Sequence, residues 1–352
     1  MPSGDRDRRP TMADVARAAG VSAMTVSYTY GQPGRVSAEA AEKVRRAAAE
    51  LGYAGPQPVA RSLRRGRTGS VGVVLGEHLT YAFDDPQAAR FLAGVAEVCA
   101  EQAVGLTLVP TTGATSDSAR VAQAAVDGFV VWTTSDDDPV LDAVTGTGLP
   151  AVVHGGPARK GLPSVGIDDR AAARAIARLA FAGARAPAVL SLPFDRARRA
   201  QVLTGPDPQT VAFPVTRSRL AGFKDAWEET GGSWSQVQVV VCAVNSARLG
   251  AEATADLLGD AGPDALAAMS DELALGALRA ADEVGVAVPE GLAVTGWDDT
   301  DAAAPAGLST LRQDLRDQGA RCARIALGQQ DAGTPPPWQV LRRRSTRPVA
   351  PP

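Results

Sequence analysis

The 352-residue chain reads as an α-helical helix-turn-helix headpiece joined to a bilobed α/β core of two doubly wound parallel sheets. Three observations predict this. Residues 11–51 hold three short amphipathic helical patterns, each opened by a capping residue. From Ser70 onward, apolar runs of strand length alternate with helical segments in two successive sets. A stretch rich in Gly, Pro and Arg separates the two regions.

In the first pattern, Thr11 caps a helix and Asp14 reciprocates as in a capping box. Val15, Ala16 and Ala19 form its apolar face, and Gly20 supplies a tight turn. Val21 plugs the space between helices. Ser22 caps a second helix carrying Thr25, Val26 and Ser27. A third runs from Ser37 to Leu51, with Val36, Val44, Ala47, Ala48 and Leu51 facing inward. Two helices joined this way, with a third behind them, can lay the second in a DNA major groove.

Residues 1–10 are charged and expected to be a disordered tail; 11–54 are the headpiece; 55–69 are a hinge or linker; 70–346 are the core; 347–352 are a tail. The core's first set places strands at 71–75, 106–109, 129–132, 151–153 and 165–167, with helices at 87–102, 117–126 and 138–144. The second set places strands at 188–192, 237–241, 265–269 and 292–295, with helices at 170–182, 219–230, 247–258 and 272–284. Residues 193–218, with four prolines, read as a long irregular connection. The lobes are expected at 70–168 with 299–325, and at 169–298 with 326–346. Two such lobes enclose a cleft at the carboxyl ends of both sheets, where small ligands bind.

The net charge of −3 hides an asymmetry. Residues 1–69 hold 12 basic and 6 acidic side chains, leaving 24 basic and 33 acidic for the remainder. A basic head on an acidic body offers one end to a polyanion. Three widely spaced cysteines, Cys99, Cys242 and Cys322, read as core residues in a reducing cytoplasm. No apolar segment suits a signal peptide or a membrane span. Neither a metal-ligand spacing nor a cofactor fingerprint is present, so no metal or cofactor is expected. Gly146-Thr147-Gly148-Leu149-Pro150-Ala151 imitates a nucleotide loop, but it precedes a strand instead of opening a helix.

The chain resembles the LacI/GalR family of bacterial transcriptional regulators over nearly its whole length. The resemblance rests on Asp14-Val15-Ala16, Gly20-Val21-Ser22, Thr25-Val26-Ser27, Leu51-Gly52-Tyr53 and Ala60-Arg61-Ser62-Leu63. In the core it rests on Val126-Asp127-Gly128-Phe129, Val165-Gly166-Ile167-Asp168-Asp169, Arg219-Leu220-Ala221-Gly222-Phe223, Met269-Ser270-Asp271-Glu272, Gly296-Trp297-Asp298-Asp299 and Leu308-Ser309-Thr310-Leu311-Arg312-Gln313. It implies a hinge helix, a core like periplasmic sugar-binding proteins, and ligand-responsive binding of a near-palindromic operator by a dimer. Three departures stand out. Tyr28 takes a position usually held by Arg, which would read guanine bidentately where tyrosine cannot. Tyr53-Ala54-Gly55-Pro56-Gln57-Pro58 carries an extra residue and proline, and Gly183-Ala184 replaces a Gly-His pair.

Ala23 and Met24 open the recognition helix and suit thymine methyls. Tyr28 either hydrogen-bonds a base or phosphate or packs on the third helix. Thr11, Ser22, Thr25 and Ser27 bind phosphate or cap helices. In the hinge, Val59, Ala60, Arg61, Leu63 and Arg64 face DNA, with Leu63 as a minor-groove wedge or, alternatively, an anchor against its own domain. Arg219, which opens a helix, and Asp298, which follows a strand, are the effector contacts the resemblance points to most strongly, and they suit the vicinal hydroxyls of a sugar. Trp297 stacks on a sugar or plugs the core. His154, Ser270 and Gln313 match further contact positions, Asp271 reads as a helix N-cap, and His78 lies beyond a strand end. The function expected is a cytoplasmic, non-enzymatic repressor with operator DNA, a small sugar-like effector and a second copy of itself as partners. A transport protein or an enzyme would share the lobes, but not the basic headpiece.

Overall fold

The structure is a computed structural model describing residues 10–55, 67–76, 81–111, 116–259 and 262–348. The chain divides into two compact units between Thr68 and Gly69.

In the first unit the helix Met12–Ala19 is closed at both ends by its own sequence. The Thr11 side chain accepts the Asp14 N–H and the Asp14 carboxylate accepts the Thr11 N–H at 2.9 Å, which completes the capping box. Gly20 ends the helix at φ 65°, where a Cβ would be costly. Ser22 caps the helix Ala23–Gly31, and Ser37 caps the helix Ala38–Leu51. Val15, Ala16, Val26, Val44, Ala47 and Ala48 form one small core. The inward face of the third helix differs at its ends: Ala41 is buried, whereas Leu51 is 39% exposed. Ala47 and Ala48 fill the core at that end, which leaves Leu51 outside it. Tyr53 packs on the core there instead.

The second unit holds two five-stranded sheets. The first has the order β2-β1-β3-β4-β5, all parallel, from β1 (Ser70–Leu75), β2 (Gly105–Pro110), β3 (Gly128–Trp132), β4 (Ala151–His154) and β5 (Ser164–Val165). The second has the order β10-β9-β6-β8-β7, from β6 (Pro187–Ser191), β7 (Gln201–Thr204), β8 (Gln238–Val241), β9 (Ala265–Ala268) and β10 (Ala293–Thr295). Near-continuous Val, Leu and Ala runs suit strands covered by helices on both faces.

Residues 193–218 are therefore not wholly irregular. They hold β7, which pairs antiparallel with β8, a 3₁₀ turn at Pro208–Thr210, and the start of a helix. β7 is an edge strand with Val202 and Thr204 in solvent, so it lacks the apolar run that marks a buried strand. The helix expected from Arg219 begins at Pro214, since proline is well suited to a first helical turn. Arg219 thus sits in the second turn and does not open the helix.

A further antiparallel pair, β11 (Thr310–Gln313) with β12 (Trp338–Leu341), lies where the chain returns between lobes. Ala303, Leu308 and Leu311 pack in the second lobe's cores, and Leu315 is the first of the following helix to join the first lobe's core. The crossing expected at 298/299 therefore falls after Leu311. The last crossing also comes later than 325/326, because Leu327 and Ala332 pack in the first lobe and Trp338 in the second.

The helices Pro86–Glu101 and Leu315–Ala326 meet backbone to backbone through Gly94 and Gly319. A Cβ on Gly94 would strike the Arg316 carbonyl, and one on Gly319 the Phe91 carbonyl. Alanine in an open helix interior stabilises by about 1 kcal/mol relative to glycine. Gly319→Ala is expected to reverse that sign and destabilise by about 1–3 kcal/mol through overpacking. Urea unfolding of the variant checks it; a stabilised protein would show that the helices can part freely.

Candidate functional site

Two surfaces carry the residues singled out above, one in each unit. In the headpiece, Ser22, Ala23 and Met24 are exposed at the start of the second helix, Met24 to 64%. The Ser22 hydroxyl accepts the Thr25 N–H at 3.1 Å and shares a 2.9 Å hydrogen bond with the Thr25 hydroxyl, so both serve the cap. Thr11 is likewise committed to its capping box. Ser27 and Tyr28 are half-buried, and the Arg35 guanidinium lies 5.7 Å from the Tyr28 ring centroid. The hinge candidates Val59, Ala60, Arg61, Leu63 and Arg64 lie outside the described residues, as does His78.

The second surface is a cavity at the carboxyl ends of both sheets. Trp132, Thr133, His154 and Gly155 come from the ends of β3 and β4; Asn245, Ser270 and Asp298 follow β8, β9 and β10; Arg219, Thr216, Gln313, Asp85 and Asp169 complete much of its polar lining. Strand ends gather these groups because, within each five-stranded sheet, every strand but β7 runs parallel and brings its carboxyl end to one edge.

Arg219 is the most constrained of them. It is 7% exposed, donates from Nε to Asp169 at 2.8 Å and from Nη1 to the Met269 carbonyl at 2.9 Å, and lies 4.0 Å from the Trp297 ring centroid. Burial raises the Asp169 pKa in spite of the opposing pull of Arg219. Trp297 is fully buried in the second lobe's core and does not line the cavity. Of its two expected roles, effector stacking and core plug, Trp297 takes the second, and it carries Arg219 on its face from within the core.

Asp298 is 6% exposed and accepts from Gln313 Nε2 at 2.7 Å. Burial pushes its pKa up to about 7, against the nearby Arg219 charge and the Gln313 hydrogen bond. His154 is also 6% exposed, and its Nε2 lies 2.8 Å from Gln318 Oε1. Its pKa falls to about 4 because burial disfavours the cation; the Gln318 bond opposes this and Arg219 adds to it. Ser270, not Asp271, is the helix N-cap: its hydroxyl accepts the Leu273 N–H at 3.1 Å and donates to Asn245 at 2.5 Å. Asp271 instead accepts the Thr300 N–H at 2.6 Å and the Thr310 hydroxyl at 2.5 Å.

The structure thus gathers Arg219, Asp298, Gln313, His154 and Ser270 around one cavity. Sequence reasoning missed Asn245, Asp85, Asp169 and Gln318. Asn245 Nδ2 donates to Asp85 at 2.6 Å, a link from the second lobe to the first. Asp169 alone had a visible signal, the Asp168-Asp169 pair before a helix. Among the described residues no cluster of His, Cys, Asp or Glu could hold a metal, and no helix is long and apolar enough to cross a membrane. Cys99, Cys242 and Cys322 are buried free thiols.

Asp298 and His154 give opposite pH dependences. With a folded pKa near 7 against the usual 3.8, Asp298 keeps a proton that the unfolded chain releases, so its contribution to stability falls as pH rises through that window. His154, at about 4 against 6.5, stays neutral while the unfolded chain takes up a proton, so its contribution falls as pH drops from 6.5 to 4. Asp298→Asn removes only the first. The stability of the variant relative to the parent is expected to rise as pH rises from 4 to 7, and urea unfolding at several pH values checks it. A difference that does not change with pH would place the Asp298 pKa at its ordinary value.

Comparison with known proteins agrees with this layout. Residues 11–55 match the family described as bacterial regulatory proteins, lacI family, and residues 195–349 match the periplasmic binding protein-like domain. The HTH-type transcriptional regulator IpsA of Corynebacterium glutamicum is 36% identical over 333 residues, covering 92% of each chain. A crystal structure of the lac repressor dimer bound to operator and the anti-inducer ONPF is 25% identical, with a TM-score of 0.74 over 96% of this chain and 99% of that one. A complex of the transcriptional regulator CelR with cellobiose is 27% identical, with a TM-score of 0.61 over 96% of this chain and 100% of that one. With the helix-turn-helix head, the two-lobed core and this full-length likeness together, the chain belongs to the LacI family of bacterial transcriptional regulators.

Proposed function

We propose that this protein is a cytoplasmic, non-enzymatic repressor that binds a near-palindromic operator as a dimer and is controlled by a small sugar-like effector in the interlobe cleft. The observation that carries the reading is the cavity's cluster of buried hydrogen-bonding groups, Arg219, Asp298, Gln313, His154 and Ser270, drawn from both lobes. Such groups, desolvated and already oriented, suit a ligand with several hydroxyls. The operator-bound lac repressor dimer and the cellobiose-bound CelR among the structural relatives support the two halves of the proposal.

In this reading Ala23, Met24 and Tyr28 face base edges, Ser27 contacts phosphate, the caps made by Thr11, Ser22 and Thr25 set the helix ends against the phosphates, and residues 55–69 are a hinge in which Val59, Ala60, Arg61 and Arg64 follow the DNA backbone. Leu63 is the wedge in the minor groove. An effector held by Arg219 and Asp298 favours one closure angle of the lobes, and that angle sets the spacing of the two hinges in the dimer. The coupling required is modest, since each tenfold change in affinity is about 1.4 kcal/mol.

The DNA half is tested with a genomic footprint of the protein followed by a salt titration on the site found. A near-palindrome of about 14–20 base pairs is expected, with affinity falling steeply as salt rises. Leu63→Ala is expected to cost about 1–3 kcal/mol on that site and little on unrelated DNA. Equal losses on both would make Leu63 structural.

The effector half is tested with Asp298→Asn, which keeps the size of the side chain. Arg219→Ala is a poorer probe, because removing one member of a buried ion pair costs about 3–5 kcal/mol in its own right. With a sugar found by screening thermal shifts, operator affinity in its presence and absence should differ for the parent and coincide for the variant. A variant that responds at the parent's ligand concentration would refute the cleft assignment.

A further inference from the structure

Four side chains between the lobes form one continuous hydrogen-bonded chain. Gln313 Nε2 donates to Asp298 Oδ1 at 2.7 Å, Gln318 Nε2 donates to Gln313 Oε1 at 3.1 Å, and His154 Nε2 meets Gln318 Oε1 at 2.8 Å. Asp298 follows β10 in the second lobe, His154 ends β4 in the first, and Gln313 and Gln318 flank the point where the chain crosses between them. Gln318 is fully buried on a helix whose neighbouring inward residues, Leu315, Cys322 and Ala323, belong to the apolar core. A side chain with both a donor and an acceptor is what this position needs, since each of its two neighbours uses one end.

The chain has a direction. Asp298 Oδ1 accepts from Gln313 Nε2, as a carboxyl oxygen without a proton does whether or not its neighbour carries one, so Gln313 presents its N–H₂ there and its carbonyl to Gln318. Gln318 repeats the order and presents a carbonyl to His154. The imidazole must then carry its proton on Nε2, which leaves the Nδ1 lone pair as an acceptor. His154 Nδ1 is buried and has no hydrogen-bond partner among the described residues. The ring itself is held between Trp132, stacked at 4.8 Å, and Phe91, tilted at 4.7 Å, so it cannot turn away without breaking that packing.

We propose that Gln318 is a positioning residue of the cleft: through Gln313 it ties Asp298 to His154 and holds His154 as its Nε2–H tautomer, so that Nδ1 accepts a hydrogen bond from a hydroxyl or N–H of the effector. The proposal rests on the effector reading of the cleft for that last step only. The chain also makes the two lobes' ligand contacts parts of one network, in which disturbing either end reorders the amides between them.

The test uses the full-length, effector-free protein labelled with [15N]histidine, so it stands apart from whether the cleft binds a sugar. The sequence has two histidines, and His154→Gln identifies their signals by loss of one set. At neutral pH the parent is expected to show the His154 Nε2–H tautomer in about tenfold excess or more, as a hydrogen bond of ordinary strength would impose. Gln318→Leu should reduce that excess severalfold. Gln313→Leu and Asp298→Asn, at residues linked to His154 through Gln318, should each shift its ring nitrogen signals. An Nδ1–H tautomer in the parent would overturn the proposal. So would His154 signals unmoved by Gln313→Leu, which would reduce Gln318 to a local neighbour. Should Gln318→Leu fail to fold, the Gln313→Leu and Asp298→Asn spectra decide the question alone.

Discussion

The core is organised around a guanidinium that has almost left water. Arg219 has to satisfy its donors inside the protein, and it does so with the Asp169 carboxylate and the Met269 carbonyl while its face rests on Trp297. Those partners come from three separate elements: the first turn of the helix Asp169–Phe181, the end of β9 and the segment after β10. They converge because the helix Pro214–Glu228 lies unusually close to the helix Asp169–Phe181. At Gly222, one turn beyond Arg219, a Cβ would strike the Arg170 carbonyl and the Ala173 side chain. The missing side chain at 222 therefore sets the reach of the charged one at 219.

The same constraint shapes the far wall of the cavity. Asp298 and Asp299 both have positive φ, 102° and 51°, a conformation that L-residues adopt at a cost of about 1–3 kcal/mol each. The surroundings hold them there. The Asp298 N–H donates to the Leu311 carbonyl at 2.7 Å, and Asp299 accepts from Arg343 at 2.6 Å and Arg312 at 2.8 Å. Burial alone would raise the Asp299 pKa, but the two guanidiniums hold it below the ordinary range. The bent backbone sets two adjacent carboxyls to different tasks. Asp299 is an ionised anchor for the returning chain, and Asp298 is a buried group with a pKa near neutrality in the cleft. Asp271, whose pKa burial pushes up to about 6, secures the same region by accepting from Thr300 and Thr310.

Local patterns were the legible part of the chain. Thr11, Ser22 and Ser37 act on the N–H groups of their own helices, and Gly20 and Gly52 on their own backbone, so their neighbours in sequence suffice to read them. The apolar runs of the parallel strands were equally plain. Where the reading failed, an element was judged by a pattern that its position in the fold does not demand. β7 sits at an edge and needs no apolar run, Pro214 starts a helix and does not break one, and Ala47, Ala48 and Tyr53 fill the core where Leu51 was expected.

A helix-turn-helix head and a two-lobed α/β core could be read directly from the residues, because capping, turns and hydrophobic periodicity act over a few positions. The sequence also marked Arg219, Asp298, His154, Ser270 and Gln313 as candidates. What each of them does depends on contacts made by folding. Trp297 went beneath Arg219, Ser270 took the cap read for Asp271, and Asn245 reached Asp85 across 160 positions of sequence. Gln318 gave no local sign at all, since a glutamine on a helix is unremarkable until its two hydrogen-bonding neighbours, one of them 164 residues away, are known. Hydrogen bonds and desolvation act between atoms a few ångströms apart, and for these groups that proximity is made by the crossings between lobes.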